Sequence, residues 1–113
     1  MSVSLFNKLE SREEFDSIIN ENNVCVVDFF GVWCTPCKTL AHSLESIART
    51  NSNFQKAYFL KVDVDQFNDL AEIYNVSALP YLIFFKNGKL TEHNVTGDNS
   101  QQVVKIVAEL VNS

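Results

Sequence analysis

Hydrophobic positions along the chain switch between two periods. Continuous or alternating apolar runs occupy Val24–Phe30, Tyr58–Val64 and Tyr81–Phe85, the pattern of strands. Apolar residues recur instead at helical spacing in Phe15, Ile18 and Ile19, in Leu40, Leu44, Ile47 and Ala48, and in Val103, Val107, Leu110 and Val111. Val3–Phe6 adds a short strand at the start. Ser11, with Glu14 three residues on, forms a capping-box pattern ahead of the first helix, and Asn22-Asn23 ends it. The second helix is expected to begin around Cys34–Cys37, a short third one to carry Leu70, Ile73 and Tyr74, and the last to start near Asp98-Asn99-Ser100. Asn87-Gly88, between Tyr81–Phe85 and the run Leu90–Val95, is a hairpin signal. The predicted order is therefore β-α-β-α-β-α-β-β-α, an α/β fold with a mixed central sheet and helices on both faces. Val24–Phe30 is apolar on both faces apart from Asp28, so it belongs at the centre of that sheet.

Composition bounds this picture. With 113 residues, 46% hydrophobic and 20% charged, the chain is expected to be one domain over residues 1–113, and neither a disordered tail nor a disulfide scaffold. Nine Lys and Arg stand against 14 Asp and Glu, giving a net charge of −5, and no basic cluster occurs, which argues against nucleic-acid binding. Val24–Phe30 and Leu79–Phe85 are too short to span a bilayer, and Glu10, Arg12, Glu13 and Glu14 precede any run that could serve as a signal-peptide core. The expectation is a soluble, cytoplasmic protein without membrane contact. In that compartment a cysteine pair is redox-active or metal-binding rather than structural.

The pair is Cys34 and Cys37, inside Trp33-Cys34-Thr35-Pro36-Cys37-Lys38 at the junction of the central strand and the second helix. Unpaired N–H groups and the helix dipole at such a start favour a thiolate on Cys34, and Pro36 fits the first turn, where its missing N–H costs nothing. Cys34 is then the attacking thiol and Cys37, one turn deeper, the resolving one, the arrangement that thiol–disulfide exchange requires. Half of a zinc site is the alternative, with Cys25 and His42 completing a Cys3His set, although Cys25 lies inside a buried strand as a small hydrophobe. Asp28 sits in an apolar run six residues before Cys34, so burial should raise its pKa and let it serve as general base for Cys37, directly or through a water. Lys61, mid-strand, could be placed near Asp28 by strand pairing or could extend to the surface. His93, in the hairpin, is expected to be exposed.

These residues do not stand alone. Val27-Asp28-Phe29-Phe30, the cysteine motif, Lys61-Val62-Asp63-Val64-Asp65, Ala78-Leu79-Pro80-Tyr81, Phe84-Phe85-Lys86-Asn87-Gly88 and Val95-Thr96-Gly97 together resemble the thioredoxin family, in order and over essentially the whole chain. The resemblance implies Cys34 as nucleophile, Cys37 as resolving thiol, Asp28 as buried acid and Lys61 as its partner. It further implies a cis peptide before Pro80. The backbone of Leu79, beside Ala78 and Thr96-Gly97, would pair with an extended target segment, while Trp33, Thr35 and Pro36 border the approach to Cys34. A protein-disulfide reductase follows, without metal or bound cofactor, taking electrons from NADPH through a thioredoxin reductase, acting on disulfide-containing client proteins, and monomeric.

Departures from the family pattern set further expectations. Thr35 stands where glycine is usual, narrowing the approach to Cys34 and bringing a hydroxyl that could bond the thiolate. His42 replaces a helix-kinking proline, so the second helix is expected to be straighter. Phe30 replaces a tryptophan, a change of packing. Gly88–Gly97 is one residue longer than usual. Two other functions stay open at this point: a redoxin-fold binding module that uses its thiols as a switch, and glutaredoxin-like use of glutathione, against which the Trp33-Cys34 and Asp28 features speak.

Overall fold

A computed structural model describes residues 4–113. The elements are β1 (Phe6–Lys8), α1 (Glu14–Glu21), β2 (Val24–Phe30), α2 (Thr35–Ala48), a 3-10 turn (Ser52–Lys56), β3 (Tyr58–Asp63), α3 (Asn68–Ile73), β4 (Tyr81–Lys86), β5 (Lys89–Thr96) and α4 (Ser100–Val111). The five strands form one sheet in the order β1-β3-β2-β4-β5. β3 runs parallel to both β1 and β2, and β4 is antiparallel to β2 and to β5. The βαβαβαββα order and the central place of β2 agree with the sequence reading.

Handedness explains why both faces of the sheet are covered. The β1-α1-β2 crossover steps past β3 in one direction, and β2-α2-β3 steps back. Right-handed crossovers therefore put α1 and α2 on opposite faces. The alternating side chains of β2 follow: Val24 and Val26 pack with Leu40, Leu44, Val103 and Val107 of α2 and α4, whereas Cys25, Val27 and Phe29 pack with Phe15, Ile19 and Leu70 of α1 and α3. Asp28 belongs to the α2 side by the same alternation. Phe59 anchors that side, with its ring 5.6 Å from Phe6 and 5.0 Å from Phe54 and no exposed surface. Phe59→Ala is expected to cost about 3–5 kcal/mol, read as a lower urea midpoint at unchanged slope; a loss below about 1 kcal/mol would show that the ring is not a core anchor.

Several local expectations are corrected. The first strand lies at Phe6–Lys8, so of Val3–Phe6 only Phe6 belongs to it, and Val3 lies outside the described residues. No capping box forms: α1 starts after Glu13 without a side-chain cap, because Ser11 offers its backbone carbonyl to the Glu14 N–H in a turn. Ile73 is 57% exposed, since the six-residue α3 has room for only Leu70 on its buried face. The 3-10 turn was not legible as an element; Asn51 Oδ1 accepts from the Asn53 N–H and Phe54 plugs the core.

The hairpin turns at Asn87-Gly88, both with positive φ (53° and 81°), as a two-residue turn between right-twisted strands requires. The extra length of Gly88–Gly97 is absorbed by a bulge: the step from Ile83 to Phe85 on β4 faces the longer stretch from Asn94 to Leu90 on β5. Thr91 Oγ1 donates to the Phe84 carbonyl there (2.8 Å). The bulge also turns His93 toward α4, where its Nε2 lies 3.3 Å from Glu109 and its side chain is only 28% exposed. His93 is thus a half-buried packing residue, not the free hairpin residue expected.

Candidate active site

The cysteine motif follows the carboxyl end of β2, where open α/β sheets place their ligands. Cys34 is the N-cap of α2 in an extended conformation, and Pro36 occupies the first turn. Cys34 and Cys37 form a disulfide with a Cα–Cα separation of 5.3 Å. The Cys37 N–H donates to Cys34 Sγ (3.2 Å), so a free backbone donor of the helix start points at this sulfur. In the reduced protein that donor and the positive helix end stabilise a Cys34 thiolate.

The two cysteines line different hollows. Cys34 lines a groove of about 530 Å³ with Trp33, Thr35, Pro36, Ala78 and Leu79, bordered further by Val64, Ala71, Val76 and Ser77. Cys37 lines a cleft of about 280 Å³ shared with Asp28, Phe30, Lys38, Glu45 and Lys61. Asp28 is 3% exposed, and its Oδ1 has no hydrogen-bond partner. Burial pushes its carboxyl up to about 8, against a smaller lowering by the Lys61 ammonium. Lys61 is register partner of Asp28 across β2 and β3, yet no ion pair within 4 Å joins them among the described residues. Its Nζ lies instead over the Phe30 ring, 5.4 Å from the centroid. Phe30 therefore does more than fill space, since its face holds the cation that moderates Asp28.

The other predicted residues converge on the groove. The Leu79-Pro80 bond is cis. Neither the N–H nor the C=O of Leu79 enters a backbone hydrogen bond among the described residues, and both remain available to a strand-like partner. Gly97, at φ 86°, donates to the Pro80 carbonyl (2.8 Å), and Thr96 pairs with Tyr81, which brings Thr96-Gly97 beside the cis bond. Thr35 is exposed on the groove, and its hydroxyl forms no hydrogen bond to Cys34.

His42 is exposed on an unbroken α2, on the face opposite the β2 side that holds Cys25, so the two do not join the pair as a Cys3His set. No group of three or more His, Cys, Asp and Glu poised for a metal occurs among the described residues. Burial raises the Cys25 thiol to about 12, leaving it protonated and unreactive.

The Asp65 partner of Trp33, the glycine at position 31 and the α3 side of the groove were not foreseen as parts of the site. Trp33, 65% exposed, donates from Nε1 to Asp65 Oδ2 (2.9 Å), and the Asp65 N–H in turn donates to Asp63 Oδ1 (2.9 Å). Gly31 lets the indole lie on the backbone, because a Cβ there would come within 2.8 Å of Trp33 Cε2. Val64, Ala71 and Val76 extend the groove toward α3. For the last group the only sequence signal is proximity to Asp63 and Pro80.

A closable dithiol at a helix start, beside an open groove on one side and a buried carboxyl on the other, defines a thiol–disulfide oxidoreductase. The family model described as Thioredoxin matches residues 7–109, and the chain belongs to the thioredoxin family. It is 39% identical over 107 residues to the thioredoxin of Echinococcus granulosus, covering 95% of this chain and 96% of that one. Against thioredoxin-1 of Saccharomyces cerevisiae the identity is 36% over 104 residues, covering 92% and 97%. Among solved structures, the crystal structure of thioredoxin from Trypanosoma brucei brucei superposes with a TM-score of 0.84 at 30% identity, covering 96% of this chain and 92% of that one. The activity is dithiol–disulfide exchange, and the chain is an oxidoreductase acting on disulfides. Among the described residues no helix is long and apolar enough to cross a membrane.

Proposed function

We propose that this chain works as a general protein-disulfide reductase of the cytoplasm, a monomeric single domain over residues 1–113 with no bound cofactor. Its electrons come from NADPH through a thioredoxin reductase, and it serves electron transport and cell redox homeostasis. The observation that carries the reading is the division of the two cysteines, with Cys34 lining the groove and Cys37 lining the cleft of Asp28.

A client segment lies extended in the groove, pairing with the free backbone groups of Leu79 beside Ala78, Pro80 and Thr96-Gly97, with Trp33, Thr35 and Pro36 along its border. The Cys34 thiolate attacks one client sulfur, forming a mixed disulfide and expelling the other client sulfur as a thiolate that takes up a proton. The fraction of Asp28 that is ionised at neutral pH, its charge tempered by Lys61, then accepts the Cys37 proton. The Cys37 thiolate attacks Cys34 Sγ, which breaks the mixed disulfide and releases the second client thiolate. Two electrons have passed to the client, and the Cys34–Cys37 disulfide remains.

Insulin reduction in the presence of NADPH and a thioredoxin reductase tests this reading. Many turnovers per molecule are expected, with NADPH consumed in step. Turnover with dithiothreitol but none with any reductase would remove the proposed electron source, and no turnover with either would remove the catalytic reading.

A further inference from the structure

The groove continues past the cysteine pair. Ala71, Val76 and Ser77 line both it and a second hollow along α3 and the turn after it, which adds Asn68, Glu72 and Asn75. Glu72 is the one ionisable side chain lining that hollow; it is exposed and enters no ion pair among the described residues. The turn that carries these groups is held by backbone bonds: the Asn75 N–H donates to the Glu72 carbonyl (3.1 Å) and the Val76 N–H to the Ala71 carbonyl (2.9 Å). Between the hollow and Cys34 the lining residues carry no charge, and at the Trp33 border the indole N–H donates to another carboxylate, Asp65. An extended segment leaving Cys34 toward α3 thus passes from an apolar floor to a fixed negative charge with amides on either side.

We propose that this hollow is a specificity subsite, taking a Lys or Arg side chain that flanks the reactive cysteine of a client, with Glu72 as its counter-charge and the Asn68 and Asn75 side chains as further hydrogen-bond partners. An acidic side chain at the same client position meets Glu72 as a like charge and is disfavoured. The proposal deepens the docking reading above and rests on it. Its occupant is an extended, basic client segment. Each client residue advances about 3.3 Å, so the hollow selects at one or two positions only, on one side of the client cysteine.

The test uses the reduced full-length protein and disulfide peptides in which a single Lys, or a single Glu, is moved through the six positions on either side of the reactive cysteine. The readout is the second-order rate constant of oxidation at low ionic strength. At one or two adjacent positions the Lys peptide should react about 3- to 10-fold faster than the Glu peptide, a difference that high salt flattens. Glu72→Gln should abolish the preference and Glu72→Lys reverse it. Glu21→Lys makes the same change of net charge at the end of α1 that precedes β2, away from the cysteine end of that strand, and should leave the preference intact. No position with a Lys preference, or an equal response to Glu21→Lys, would overturn the subsite. Ala78→Arg, which blocks the groove beside Leu79, separates the two readings. If it slows every peptide while no Lys preference exists, only the subsite is lost; if it slows none, the docking groove itself is wrong.

Discussion

Cys34→Ser is expected to reduce disulfide exchange to the background of dithiothreitol alone. A serine hydroxyl in the same N-cap position receives the same Cys37 N–H and the same helix field, yet neither brings an alcohol near ionisation at neutral pH, and oxygen cannot form the mixed disulfide. Cys37 cannot substitute, because it faces the cleft rather than the groove. The loss should therefore exceed about 10³-fold in insulin reduction while the fold persists by circular dichroism. Retention of a tenth of the parental rate would mean that Cys34 is not the nucleophile.

The second large effect concerns Asp28, and it has opposite signs in stability and activity. Burial pushes its carboxyl up to about 8 in the folded chain, from an ordinary value of 3.8. Between those values the folded state binds the proton that the unfolded state has lost, so stability falls as pH rises from about 4 to about 8, with the full penalty present above that window. Asp28→Asn places a neutral side chain of the same shape there. It should match the parent near pH 4 and exceed it by several kcal/mol at pH 9, read from urea unfolding at each pH. Catalysis moves the other way. With no proton acceptor beside Cys37, resolution of the mixed disulfide should slow roughly 10- to 100-fold at pH 7, and the inflection near 8 in the pH–rate profile should vanish. A stability difference independent of pH would show that the buried carboxyl is not neutral in the folded protein.

Why these two residues were legible in the sequence is a matter of contrast. Asp28 interrupts a strand that is apolar on both faces, and no solvated position exists in such a run. The cysteine pair stands where strand periodicity gives way to helix periodicity, which fixes its place at a helix start. The layered fold followed from the alternation of periods and the handedness of crossovers. What escaped depends on contacts between distant segments. Gly31 looks like an ordinary loop glycine until the Trp33 ring lies on it, and Asp65 gives no sign of bonding that indole. His93 was misjudged because a bulge, invisible to pattern, carries it to Glu109 on the last helix. Ser11 and Glu14 had the spacing of a capping box, but the turn that contains them uses backbone groups instead. Glu72 carries no signal of its own in the sequence, because only the hollow beside α3 sets it apart from other surface carboxylates.

The most direct test of the division of labour between the two cysteines is to trap the intermediate. Cys37→Ser protein, reduced and mixed with an oxidised client, should accumulate a one-to-one covalent complex that dithiothreitol dissolves, and peptide mass spectrometry should place its bond at Cys34. A bond at Cys25, or the absence of any covalent complex under conditions where the parent reduces the client, would contradict the assignment.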